Sequence, residues 1–90
     1  MQVNRLTARQ VSSLKQGFHS DGQSLYLRVR PNGSRAWVFR FTHSGRTQEI
    51  GLGPTHSRSL AEARRLSVEM RALRMQGLDP RLAMQKDDPD

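Results

Sequence analysis

Ser24-Leu25-Tyr26-Leu27-Arg28-Val29-Arg30 alternates oily and polar residues along its length. Successive side chains of a strand point to opposite faces. Leu25, Leu27 and Val29 therefore share one face, and Tyr26, Arg28 and Arg30 share the other. Arginine carries a planar fork of donors that matches phosphate oxygens and the major-groove edge of guanine. A layer that is apolar on one side and arginine-bearing on the other is suited to lie against nucleic acid.

The sequence on either side extends this layer. Pro31-Asn32-Gly33-Ser34 is a turn whose residues tolerate positive φ. Ala36-Trp37-Val38-Phe39-Arg40-Phe41-Thr42 is a second strand, with Trp37, Phe39 and Phe41 on one face and Val38, Arg40 and Thr42 on the other. His43-Ser44-Gly45-Arg46 turns the chain again. Thr47-Gln48-Glu49-Ile50-Gly51-Leu52 is a third strand with Ile50 and Leu52 inward, and Gly53-Pro54 stops the sheet. Three short strands joined by two tight turns form an antiparallel meander.

Helices flank the meander. Residues 5–15 read as a short helix that Thr7-Ala8-Arg9-Gln10 opens as a capping box, with Leu6 and Val11 placed as a hydrophobic staple. Gly17 ends it, and His19–Gln23 reads as a loop. Ser59-Leu60-Ala61-Glu62 is a second capping box, opening a helix over residues 60–76. Ala63, Leu66, Met70 and Leu73 form its apolar stripe. Gly77 stops this helix, Leu78 closes back on the last turn, and Pro80 prevents resumption. The pattern predicts an α+β domain over residues 1–82: a three-stranded antiparallel sheet packed on one long C-terminal helix, with a short N-terminal helix beside it. Residues 83–90 read as the start of a linker.

Composition narrows the function. The chain has 90 residues, 34% of them hydrophobic, enough for a thin core and too few for an enclosed active-site cavity. Its net charge is +7, with thirteen arginines against two lysines. Residues 1–86 hold all fifteen basic residues and only five acids, a local balance of +10, because three of the eight acids crowd the last four positions. Such a balance favours polyanionic partners. No cysteine is present, which suits a reducing cytoplasm. No apolar run is long enough for a membrane span or a signal peptide. His19, His43 and His56 lack ligand spacing, and no Ser-His-Asp set, paired carboxylates or phosphate loop is present. The expectation is therefore no metal, no cofactor, no small-molecule substrate and no catalysis.

The order of the pieces is itself specific. Leu6-Thr7 opens the short helix, and Asp21-Gly22 precedes Leu25-Tyr26-Leu27-Arg28-Val29. Gly33-Ser34-Arg35-Ala36-Trp37, Phe39-Arg40-Phe41, Leu52-Gly53, Ser59-Leu60-Ala61-Glu62-Ala63-Arg64 and Gly77-Leu78-Asp79-Pro80 follow. Across residues 4–82 this resembles the N-terminal arm-DNA-binding domain of prophage and genomic-island integrases, which are tyrosine recombinases. The sequence departs from that pattern at Pro54-Thr55-His56, where the family more often has an aromatic residue after Leu-Gly.

The resemblance implies that the sheet lies in the major groove of double-stranded DNA at arm-type attachment sites. It also implies that core-binding and catalytic domains lie elsewhere in a longer integrase, working in the bacterial cytoplasm at the nucleoid. Arg28, Arg30 and Arg40 are then the leading DNA contacts, with Tyr26, Val38, Thr42 and Thr47 beside them on the outward face. Arg35 and Arg46, at the hairpin turns, are backbone contacts. Tyr26 stacks or hydrogen-bonds at DNA or covers the rim of the sheet, and is not the recombinase nucleophile. A solvated sheet face is the plain alternative for the arginines. Arg64, Arg65, Arg71 and Arg74 read as a solvated helix face with Glu62 and Glu69, open to other integrase protomers. Two other function classes stay open. One is an RNA- or single-strand-binding module that stacks bases on Trp37, Phe39 and Phe41. The other is a protein-interaction module built on Met70, Met75, Leu78 and Met84.

Overall fold

A computed structural model describes residues 6–87, with side chains described through Met84. The expected linker residues 88–90 lie outside the described residues. The elements run α1 (Ala8–Ser13), β1 (Gly17–Gly22), β2 (Leu25–Val29), β3 (Arg35–His43), β4 (Arg46–Pro54), α2 (Leu60–Met75) and α3 (Leu82–Asp87). The architecture is α+β, as the pattern predicts. The sheet has four strands rather than three, in the order β1-β2-β3-β4, all antiparallel.

The additional strand is β1, where the sequence reads as a loop. It pairs with β2 from Gly17↔Val29 to Gly22↔Leu25, with a register shift between Ser20 and Gly22. Gln23 and Ser24 form the two-residue connection, with φ of 52° and 71°. Positive φ at both positions is the sign pattern of a type I′ hairpin turn, which normally announces itself by Asn-Gly or Asp-Gly. Here the turn is made by residues that carry no such signal. Ser67 Oγ donates to the Gln23 carbonyl at 2.8 Å, so α2 helps hold the turn. With one aromatic residue in six, β1 shows no alternation of its own and depends on pairing with β2.

Three other boundaries shift. Arg30 lies beyond β2 and begins the next turn, its N–H donating to the Ser34 carbonyl at 2.9 Å. β4 continues through Gly53 to Pro54 by means of a bulge opposite Trp37/Val38. Pro54 faces Ala36 at the end of an edge strand, where a missing N–H costs no ladder bond. After Pro80 the chain resumes as α3, so α2 is not the last helix. α3 runs across residue 83, where the sequence reads as the beginning of a linker, and Ala83 is buried in the core.

Local chemistry explains where the helices begin and end. Both capping boxes form: Thr7 with Gln10, and Ser59 with Glu62. α1 stops at Ser13 because Leu14 is extended. At the end of α2, Gly77 has a φ of 80°. Its N–H donates to the Arg74 carbonyl and that of Leu78 to Leu73, the paired bonds of a Schellman ending.

Leu25, Leu27, Val29, Trp37, Phe39, Phe41, Ile50 and Leu52 from the sheet pack with Ala63, Leu66 and Met70 of α2, and with Leu6 and Ala83. Val11, Leu14 and Leu73 pack around them. The Trp37 side chain is fully enclosed and its indole N–H donates to the Arg58 carbonyl at 2.8 Å. That satisfied polar atom lets the largest side chain sit in the interior. All helices of the core therefore lie on one side of the sheet. The other side is the candidate site.

Candidate nucleic-acid interface

Residues directly opposite on paired strands share a face. The register therefore fixes the open side as rows: Phe18, Arg28 and Ala36; then Ser20, Tyr26, Val38 and Gly51; then Arg40 and Glu49; then Thr42 and Thr47. The rows carry two arginines, two aromatic rings and one acid. Phe18 and Tyr26 meet edge to face, with centroids 6.2 Å apart and an interplanar angle of 85°. The Arg40 guanidinium lies 5.0 Å from the Phe18 centroid and 5.3 Å from the Tyr26 centroid. Its Nε sits 3.2 Å from Glu49 Oε2. Nε is buried without an aligned hydrogen bond, so this contact is an ion pair in character. Arg28 Nε is likewise buried with no hydrogen-bond partner.

The expected contacts do not all fall together. Tyr26, Arg28, Arg40, Thr42 and Thr47 share the open face; the threonines are exposed and the other three half-buried. Val38 has the expected parity and is only 1% exposed. It lies opposite Tyr26 and two residues from Arg40, on the same face. Arg30 is exposed in the β2–β3 turn. Arg35 is the first residue of β3 rather than a turn residue, and it lies opposite Val29, on the helix side. Its guanidinium donates to the Val11 carbonyl at 3.0 Å, tying α1 to the sheet. Arg46 is exposed at the β3–β4 hairpin, opposite His43, with the parity of the helix side. Phe18, 44% exposed, is a member of the face that sequence reasoning misses, because its strand is not legible.

The arginines of α2 depart from the expected solvated face. Arg64 Nε and one terminal nitrogen each donate to a different oxygen of Asp21 at 2.9 Å. That terminal nitrogen also donates to the Leu6 carbonyl at 2.7 Å, and the Leu6 N–H donates to Asp21 at 2.8 Å. Asp21 is 2% exposed, so its charge is compensated by a bidentate pair and a backbone amide. The hydrogen bonds to Asp21, aided by its negative charge, raise the Arg64 pKa further above its ordinary range, against the opposing effect of burial. Arg71 donates to the Gln23 side chain at 2.9 Å. Arg74 donates to the Thr42 carbonyl at 2.7 Å and lies 4.7 Å over the Phe41 ring. Arg65 alone matches the expectation, pairing with Glu69 one turn along.

Among the described residues, no cluster of His, Cys, Asp or Glu could hold a metal ion. No described helix is long and apolar enough to cross a membrane. A small sheet, helix-backed on one side and arginine-bearing on the other, has the geometry of a surface that can meet a polyanion.

Comparison with known proteins names the class. A family model described as the arm DNA-binding domain matches residues 6–87. The chain belongs to this family, the non-catalytic DNA-binding domain of integrase-type proteins. It is also 36% identical over 56 residues to the IntB protein of Escherichia coli (strain K12). That match covers 62% of this chain and 14% of IntB, so the chain spans a small fraction of the length of this relative.

Proposed function

We propose that this domain binds duplex DNA at the arm-type sites flanking an attachment site, with the open face of its sheet in the major groove. The parent protein is a phage-type integrase of the tyrosine-recombinase class, acting in the bacterial cytoplasm on prophage or genomic-island DNA. A linker after the domain leads to core-binding and catalytic regions. The observation that carries this reading is the sorting of arginines across the sheet. Arg64, Arg71, Arg74 and Arg35 on the helix side hold protein carboxylate, carbonyl or amide oxygens. Arg28 and Arg40 lie on the side with no helix over it, flanked by exposed Thr42, Thr47 and Arg30. Two adjacent strands of such a sheet fit the width of the major groove.

The burial of Trp37 and Phe39 weighs against base stacking on that strand. Phe18 and Tyr26 are engaged edge to face with each other and with Arg40, which weighs against stacking of single-stranded bases on them.

The test is titration of the 90-residue chain against duplexes taken from the flanks of its own element's attachment site, at several salt concentrations. If about four phosphates are neutralised, log affinity falls with log salt at a slope of about −3.6. A flat salt response, or equal affinity for flank and unrelated duplexes, would refute arm-site binding. Affinity of the isolated domain is expected to be modest, because linked domains gain strength from one another.

A further inference from the structure

We infer that Arg40 is the guanine-reading residue of this face, and that Glu49 is the positioning residue that makes it selective. The inference rests on the proposed duplex-binding face and assigns roles within it. A cation that contacts only phosphate needs no fixed orientation, whereas a base reader must present its fork in one place. Arg40 is the cation on the open face whose guanidinium is fixed by several groups. The Phe18 and Tyr26 rings lie 5.0 and 5.3 Å from it, and the Glu49 carboxylate is 3.2 Å from Nε. Glu49 is its direct cross-strand partner, so the β3–β4 ladder sets the spacing.

The Nε side of the guanidinium is thus committed to the protein. The side chain nevertheless keeps 33% of its surface exposed, and no other hydrogen bond engages its terminal nitrogens among the described residues. Two terminal N–H groups presented together match O6 and N7 of one guanine. By contrast, Arg30 in the β2–β3 turn and Arg46 at the first position of β4 are exposed, which suits contact with phosphates.

Glu49 has a second effect. A carboxylate on a phosphate-binding face repels every duplex equally, so it lowers affinity without regard to sequence. Its presence opposite Arg40 is costly for a non-specific binder and useful for a selective one. The face is therefore built to bind weakly everywhere and strongly where a guanine meets Arg40.

The experiment is selection from a randomised duplex library by the native chain, Glu49→Gln and Arg40→Lys, with salt-dependent titration of the winners and of the unselected library. The native chain is expected to select guanine at one position, and replacing that guanine with 7-deazaguanine, which lacks N7, should weaken binding about tenfold. Arg40→Lys keeps the charge and loses the fork, so guanine preference at that position should disappear. Glu49→Gln should bind the unselected library about fivefold more tightly and discriminate about tenfold less. Circular dichroism checks that both variants are folded. Guanine preference unchanged in either variant overturns the assignment while leaving duplex binding in place. Absence of salt-dependent duplex binding by the native chain refutes the proposed face itself, and the assignment with it.

Discussion

The two faces of this sheet use the same side chain for opposite purposes. On the helix side, Arg64, Arg35, Arg71 and Arg74 donate to oxygens of the protein and act as fasteners between α1, α2 and the sheet. On the open side, Arg28 and Arg40 have buried Nε atoms with no aligned acceptor, and the acid paired with Arg40 is Glu49. Basic composition alone therefore overstates the binding surface. What separates fastener from contact is whether an acceptor of the protein already holds a terminal nitrogen of the fork, as it does at Arg35, Arg64, Arg71 and Arg74 and, among the described residues, does not at Arg40, whose partner Glu49 sits at Nε.

The contrast can be broken most severely from the helix side. Phe39→Ala removes a fully enclosed ring and should cost about 3–5 kcal/mol of stability, read from urea unfolding. If unfolding midpoint and slope are unchanged, the apolar face is not the core. Arg64→Ala leaves the buried Asp21 carboxylate without its guanidinium partner, with an expected loss of roughly 2–4 kcal/mol. Its partner change, Asp21→Asn, should be milder, because no buried charge is stranded. The raised pKa of Arg64 means that its contribution is intact from neutral to mildly alkaline pH and is lost only above the ordinary arginine range. A stability change between neutral and mildly alkaline pH therefore has to come from another group.

Open-side changes should leave unfolding almost untouched and alter binding. Arg28→Ala is expected to weaken duplex binding and to reduce the salt slope by about 0.9 for each phosphate that the variant no longer neutralises. An unchanged slope together with lowered stability would make Arg28 a fastener as well. The smallest effect is expected at Arg65→Ala, which removes an exposed pair with Glu69 and should cost no more than about 0.5 kcal/mol.

How legible each region is in the sequence follows from the same physics. β2 and β3 alternate strongly, so their faces can be read without coordinates, and Trp37, Phe39 and Leu27 lie in the core as the alternation requires. The capping boxes and the Gly77 ending of α2 are local chemistry, and they form where the residues stand. β1 is illegible because its stability comes from pairing with β2 and its turn uses Gln23 and Ser24 instead of Asn or Gly. Phe18 is hidden with it. The roles of Arg64 and Arg35 are illegible for a related reason: Asp21 is 43 residues from Arg64, and Val11 is 24 residues from Arg35. Parity places Val38 on the open face, but parity does not report burial, and Val38 is 1% exposed.

The most direct test of the two-sided sheet is a map of side-chain NMR shifts on adding an attachment-flank duplex. The Arg28 and Arg40 Nε–H signals and the Phe18 and Tyr26 ring signals are expected to move, while the Trp37 indole and the Arg64 Nε–H stay fixed. Movement concentrated on α2 and α3, with the open-face signals unchanged, would contradict it.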